Sequence, residues 1–317
     1  MTFSQEVKSE ILKSARNLQG GNATSFLTAV LKSAGSLTLG AHGFAFSIDS
    51  DNLDMLNLCK NFALAELESE ADIQTHTLPK KGQQMHTCTF EAIVGERLAL
   101  TARDNDGTLE LCQDAAKLIP TDPTEKRSFL QGLFVAGGSV VIPVVDEEKQ
   151  WSNTLNTKYH LELRFTDEAF AKAIEQNYSE LDFHYLSRKS HSVLYLKDSE
   201  KIADFLVYVN AKSAKFTLEN VIIRRSMRND NNRVINCITA NIGKTVAAAG
   251  KQLQAISTLK QMGLFDSLPD QLKDVARLRE TYPEATIDEI ADMLSISKSG
   301  ANHRFAKLIE LSQRISR

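Results

Sequence analysis

Apolar residues recur every three or four positions in MTFSQEVKSEILKSARN, at the head of the chain, and predict an amphipathic helix. Gly20-Gly21-Asn22 breaks that pattern, and a short apolar helix follows in FLTAVLKSAGSL, residues 26–37. The spacing then changes from helical to alternating. Residues 36–48 suit a hairpin with Gly40 and Gly43 near its turn, and residues 53–68 return to an amphipathic helix. Residues 73–94 suit a second hairpin that turns at Pro79-Lys80-Lys81-Gly82.

The phrase at 26–37 returns as FLQGLFVAGGSV at 129–140, with Phe26 and Phe129, Leu27 and Leu130, Gly35 and Gly138, and Ser36 and Ser139 in equivalent places. An internal repeat of this kind divides the front of the chain into two similar halves. The second half repeats the order of the first. Residues 140–145 can pair with 159–165 across a polar loop containing Trp151, a helix follows at 167–178, strands at 183–187 and 192–196, and a helix at 199–209. Each half is expected to be helix, two strands, helix, two strands, helix, an α+β unit. Small residues four apart in the phrase, Ala29 with Ser33 and Gly132 with Ala136, let two such helices approach along one seam.

From Val221 the character changes. Arg224, Arg225, Arg228 and Arg233 gather around an expected Asn/Asp loop, and a long helical pattern from about 234 to 262 stops at Gly263. Gly243-Lys244-Thr245 has the ending of a P-loop, but that motif needs glycine where Ile238 stands, so the triplet belongs to the helix interior. Leu268-Pro269 marks a linker, and 271–281 a support helix.

Residues 283–311, PEATIDEIADMLSISKSGANHRFAKLIEL, then predict two short helices separated by Ser295-Ile296-Ser297. Ile287, Ile290, Ala291 and Leu294 form the apolar face of the first, and Thr286 with Glu289 has the spacing of a capping box. Ala301, Phe305, Leu308 and Ile309 form that of the second, which Ser297 can cap. Two short helices joined in this way match a helix-turn-helix, whose second helix enters the DNA major groove. Its outward side chains are Ser299, Asn302, His303 and Lys307, with Lys298 at the N-terminus and Arg304 on the flank. Asn pairs bidentately with adenine, Lys and Arg reach guanine or phosphate, and hydroxyls suit either. No acidic residue occurs from Ser297 through Ile309, whereas the first helix carries Asp288, Glu289 and Asp292. A merely solvated face would not need that asymmetry.

Charge changes the picture once it is divided along the chain. The net −3 of 317 residues breaks into −5 over 1–121, −5 over 122–187, +8 over 188–260 and −1 over 261–317. A polyanion meets the basic stretch that precedes the helix-turn-helix, not the average. At 42% hydrophobic and 24% charged, the composition is that of a folded protein. No apolar run is long enough to span a membrane, and the N-terminus lacks a signal-peptide pattern. Cys59, Cys88, Cys112 and Cys237 include no CxxC pair, which fits a reducing cytoplasm and argues against a disulfide frame or zinc knuckle. His76, His86 and Cys88 could meet on one hairpin, but isolated strand residues of this kind are expected to be structural, and Asp146, Glu147 and Glu148 to be a solvated loop. No catalytic residue, metal site or cofactor is assigned.

Duplicated helix-strand-strand-helix-strand-strand halves meeting through small-residue helices that end in glycine resemble the LAGLIDADG homing endonucleases. In that family the residue before the terminal glycine is acidic and binds the metal for cleavage. Here Ala34 and Gly137 stand there, and neither can ligate Mg²⁺. The paired phrases, Asn232-Arg233 with Thr239-Ala240-Asn241 and Lys244, and Ser297-Lys298-Ser299-Gly300 with Asn302-His303-Arg304 together resemble the WhiA family of bacterial regulators over essentially the whole chain.

That resemblance implies a degenerate LAGLIDADG-like domain of αββαββα halves, 1–120 and 121–240, a helical linker at 241–264 and an all-α helix-turn-helix domain at 265–317. It also implies a cytoplasmic, nucleoid-associated regulator of sporulation or of cell division and chromosome organisation. Double-stranded DNA is the expected partner, with other regulators or RNA polymerase as further candidates, and no membrane. The expected DNA contacts are Ser297, Lys298, Ser299, Asn302, His303, Arg304 and Lys307, backed by Arg224, Arg225, Arg228, Arg233 and Lys244. The alternatives are a nucleoid-associated scaffold and a residual endonuclease using acids such as Asp49, Asp51, Asp146 or Glu147.

Overall fold

The computed structural model describes residues 2–40, 43–78, 82, 84–103, 109–112, 114–143 and 158–315. By internal packing the chain divides into two units, Met1–Arg225 and Ser226–Arg317. The first unit opens with α1 (Phe3–Ala15), whose start is held by reciprocal hydrogen bonds between Thr2 and Gln5 and whose buried face is Val7, Ile11, Leu12 and Ala15. The first half follows as α2 (Gly21–Ala34), β1 (Gly35–Gly40), β2 (Gly43–Ser50), α3 (Leu53–Leu67), β3 (Ala71–Thr77), β4 (Gln84–Glu91) and α4 (Ala92–Arg97). A small ribbon, β5 (Thr101–Arg103) with β6 (Leu109–Leu111), leads to the second half. That half is α5 (Pro123–Gly137), β7 (Gly138–Val141), β8 (His160–Phe165), α6 (Glu168–Asn177), β9 (His184–Ser187), β10 (Ser192–Leu196) and α7 (Ser199–Tyr208).

Each half makes one antiparallel four-stranded sheet, and the strand orders correspond: β1-β2-β4-β3 and β7-β8-β10-β9. The alternation places Phe46, Ile48, Cys88 and Phe90 of one sheet, and Leu161, Leu163, Leu194 and Leu196 of the other, in a single core. Asx caps start the helices that cover them. Asn52, Asp122, Asp167 and Asp198 accept from the N–H of Met55, Glu125, Phe170 and Lys201 at 3.1, 3.1, 3.1 and 3.2 Å. Lys32 on α2 also donates to Asp167, at 3.0 Å. Burial pushes the Asp167 carboxyl up, but the bonds from Phe170 and Lys32 outweigh it and hold the group below its ordinary range.

The repeated phrase forms the seam between the halves. α2 and α5 pack so closely that a Cβ on Gly132 would lie 2.5 Å from the Phe26 carbonyl oxygen and 2.9 Å from the Ala29 Cβ. Phe26 meets Phe62 edge-on at 5.8 Å, and its counterpart Phe129 meets Phe170 at 6.2 Å. Gly132→Ala is therefore expected to destabilise the first unit by about 2 kcal/mol, because a backbone oxygen cannot rotate out of the way as a side chain can. Thermal unfolding checks this, and an unchanged melting curve would mean that the seam yields.

Three expectations need correction. The segment expected to continue the second hairpin to residue 94 leaves the sheet at Glu91 and becomes α4, since a short apolar run such as Ala92-Ile93-Val94 fits either structure. The strand expected at 140–145 begins earlier, as β7. The Asn/Asp loop around the arginines is helical: α8 (Lys212–Gln261) is continuous through Asn229-Asp230-Asn231-Asn232. Asn and Asp each cost up to about 0.7 kcal/mol in a helix, no proline interrupts the stretch, and Asp230 pairs with Arg233 one turn on, at 3.8 Å. Pro79 to Lys81, Trp151, and Asp146 with Glu147 and Glu148 lie outside the described residues.

In the second unit, the last part of α8 packs with α9 (Asp270–Thr281), α10 (Ile287–Met293) and α11 (Lys298–Ile315). Ile256, Leu259, Leu268, Leu272, Val275, Ile290, Phe305 and Leu308 are its core. α8 stops where expected: Gly263 adopts φ +69°, and Leu264 N–H returns to the Leu259 carbonyl at 3.1 Å.

Candidate nucleic-acid interface

The helix pair that carries the candidate site is built from both of its caps. Thr286 N–H donates to Glu289 Oε2 at 2.6 Å, and Glu289 N–H donates to Thr286 Oγ1 at 3.2 Å, closing the capping box. The bonds that the Thr286 N–H and hydroxyl donate to Glu289 Oε2 hold its carboxyl below the ordinary range. The chain then reverses at Ser295, whose φ of +54° is left-handed, and Ile296 N–H reaches the Ala291 carbonyl at 3.0 Å. Ala291 is buried at this crossing, where a small residue lets the helices close. Ser297 Oγ accepts from Gly300 N–H at 3.1 Å and starts α11.

With Ala301, Phe305 and Leu308 buried, the opposite face of α11 is fixed. Ser299, Asn302 and His303 are exposed there, and none of their side chains has a hydrogen-bond partner among the described residues. The cations are more constrained. Lys298 donates to Asp288 Oδ2 at 2.6 Å and Lys307 to Glu310 Oε2 at 3.0 Å, while Arg304 is half-buried with Nη1 3.5 Å from the Gln271 carbonyl. Polar groups with open valences thus sit in the middle of the face, and tethered cations lie along its edges. Ile309, expected on the apolar face, is half-buried.

One residue that supports this face is not apparent from the sequence pattern of the helix pair itself. Arg279 on α9 is 1% exposed, and the acceptors of its hydrogen bonds are neutral. Its Nε donates to Gln252 Oε1 of α8 at 2.9 Å, and its Nη1 to the carbonyls of Ala285 and Pro283 at 2.6 and 3.2 Å. The guanidinium carbon lies over the Phe305 ring, 5.3 Å from its centroid. Burial pushes its pKa down from the ordinary value. The signal was present in α9: Leu272, Val275, Ala276 and Arg279 follow helical spacing on one face, so Arg279 occupies a core position.

The remaining predicted contacts lie on α8. Arg224 and Arg225 belong to the first unit, and Arg228, Arg233 and Lys244 to the second. Arg225 stacks over Tyr159 at 5.4 Å, and Arg233 and Lys244 are exposed. The sheets offer little to a phosphate backbone. β1 to β4 contain no Lys or Arg, and the one arginine on β7 to β10, Arg164, is held by the buried Glu162 through Nε at 2.8 Å.

At the ends of the seam helices, Ala34 and Gly137 are followed by Gly35 and Gly138, whose N–H groups cap onto the Leu31 and Phe134 carbonyls. Among the described residues no three His, Cys, Asp or Glu side chains are grouped to hold a metal. His76 and His86 point to opposite faces of β3 and β4: His86 is buried with Nδ1 2.7 Å from Thr75 Oγ1, while His76 faces Met85 in register.

Two family models match, the WhiA LAGLIDADG-like domain over residues 126–228 and the WhiA C-terminal HTH domain over 231–312. A protein of Staphylococcus aureus strain USA300, named "Probable cell division protein WhiA", is 33% identical over 322 residues, spanning 99% of this chain and 98% of the relative. This chain belongs to the WhiA family. The same name and 33% identity recur in S. aureus strain JH9. The crystal structure of full-length WhiA from Thermotoga maritima covers 99% of both chains with a TM-score of 0.55 at 20% identity, so the WhiA fold extends over both units. The α+β first unit is accordingly the WhiA version of the LAGLIDADG fold, and the second carries the family's helix-turn-helix. Among the described residues no helix is long and apolar enough to cross a membrane.

Proposed function

We propose that this protein is a sequence-specific DNA-binding regulator of cell division or chromosome organisation, acting at the nucleoid, in which α11 reads base edges and the LAGLIDADG-like unit does not cut DNA. The observation that carries the reading is the open polar face of α11: Ser299, Asn302 and His303 are exposed together on a doubly capped pair with no acid from Ser297 through Ile309. The cell-division role rests on the name of the relatives, and sporulation genes are the other target class that the family resemblance brings. Ala34 and Gly137 at the phrase ends support loss of cleavage. Residues 265–317 form the reading domain in this proposal, and RNA polymerase or another regulator would be met by the DNA-bound protein.

Sequencing of genomic fragments retained by the purified full chain tests the reading. Discrete sites sharing one motif are expected. Even coverage of the genome would overturn sequence-specific reading in favour of a nucleoid scaffold. Metal-dependent nicking of supercoiled DNA that follows the protein through purification would overturn the loss of cleavage.

Phosphate contacts should come from α8, where Lys244 is exposed, Arg228 half-buried and Arg233 held only by a 3.8 Å pair with Asp230, more than from α11, whose Lys298 and Lys307 pair at 2.6 and 3.0 Å. Replacing Arg228, Arg233 and Lys244 together with glutamine is expected to weaken specific and random DNA alike. It should also flatten log affinity against log salt by about 0.9 for each phosphate no longer neutralised. An unchanged slope with a lowered melting temperature would assign these residues to stability.

A further inference from the structure

The part of α8 within the second unit has two opposed faces. Val234, Ile235, Ile238, Ile242 and Val246 follow helical spacing and are each between 52% and 64% exposed, and Met227 at 62% continues the stripe two turns earlier. Past Val246 the same stripe enters the unit's interior at Ala249 and Ile256. Arg233, Lys244 and Lys251 lie near whole numbers of turns from one another, on the opposite side. Asn231, Asn232, Thr239, Asn241 and Thr245, beside and between the stripe's members, are polar but uncharged, while Arg228, two turns before Ile235, puts a cation at its near end and Asp230 an acid on its border.

Six large apolar side chains exposed to that extent make a patch of roughly 500–650 Å², at or above the roughly 300–600 Å² of the largest apolar patch on an ordinary monomer. Phosphate and sugar are poor cover for isoleucine, so the DNA proposed for the basic face does not account for this one. We infer that the stripe is a homodimer interface, in which a second copy of this chain lays its own α8 stripe against it. Two features of this face favour a second copy. Arg228, at the near end of the stripe, is its one cation within the second unit, so copies packed antiparallel keep their two Arg228 side chains at opposite ends of the contact, and Arg233 and Lys244 point away from it. The stripes of two copies together supply roughly 1,000–1,300 Å², and their polar borders bring the total within the roughly 1,200–2,000 Å² of stable interfaces. A twofold pair is self-complementary by construction and leaves both basic faces outward.

Sedimentation of the full-length chain without DNA tests this independently of the DNA-binding reading. The chain is expected to pass from monomer to dimer within the micromolar range. Ile238→Glu combined with Ile242→Glu should weaken association by at least about 100-fold, since it buries uncompensated charge at the centre of the contact. Its melting temperature should match the parent's below the dimerisation range, where both are monomers, because both positions are exposed in the monomer. Arg233→Gln with Lys244→Gln should dimerise as the parent does. A chain that stays monomeric at several hundred micromolar overturns the proposal, as does a dimer that survives the paired glutamates.

Discussion

Arg279→Ala is expected to cost the second unit about 3–5 kcal/mol, enough to leave it largely unfolded if its stability is at the low end of the usual range of about 5–15 kcal/mol. Removing the side chain does three things at once. It vacates a fully buried volume, it leaves Gln252 Oε1 and the carbonyls of Pro283 and Ala285 without their donor, and it uncovers the Phe305 ring on α11. Each buried acceptor left without a partner is worth about 1–3 kcal/mol, less where water enters the cavity. Arg279→Lys should recover only part of the stability, because an ammonium cannot reach Gln252 and the 283–285 carbonyls as a planar fork does. Hydrogen exchange of the full chain separates the units. Protection should fall across α9, α10 and α11 and persist in β2, β4, β8 and β10. If exchange in α10 and α11 is the same as in the parent, Arg279 is not what holds the reading helix.

The duplicated α+β plan was legible because the repeat states it twice: equivalent phenylalanines make the same edge-on contact in each half, and the small residues of the phrase lie where the helices touch. The helix-turn-helix was legible for a different reason. Its caps are local chemistry, so Thr286 with Glu289, and Ser297, specify their helix starts without reference to the rest of the chain. What local pattern could not supply was continuity or tertiary partnership. Asn229 to Asn232 suggest a break when taken alone, yet the small cost of four weak helix formers is outweighed by the long stretches on either side. The spacing of α9 puts Arg279 on the core face but does not show what satisfies it there: apart from Gln252 Oε1 its acceptors are backbone carbonyls, which leave no mark in the residue types. The ion pairs of Lys298 and Lys307 escaped for a related reason. They join a side chain of α11 to carboxylates whose direction the spacing alone does not give.

Those pairs shape the second prediction of large effect. With Lys298 and Lys307 tethered, discrimination among DNA sequences should fall to Asn302 and His303, the long open side chains in the middle of the face. Replacing both with alanine is expected to reduce affinity for the protein's own site by about 2–4 kcal/mol, from two base contacts at about 1–3 kcal/mol each whose effects partly overlap. Affinity for random DNA should change little, because phosphate contacts rest mainly on Lys and Arg, and both residues lie outside the core, so the melting temperature should hold. The specificity ratio would then collapse while non-specific binding and its salt dependence remain. The opposing account is that this face is merely solvated and that recognition resides on α8. It predicts an unchanged ratio in the double variant and a collapsed one when Arg228, Arg233 and Lys244 are replaced. Titrating the three proteins against specific and random duplexes at one salt concentration distinguishes the two, since base reading changes the ratio and phosphate binding moves both affinities together.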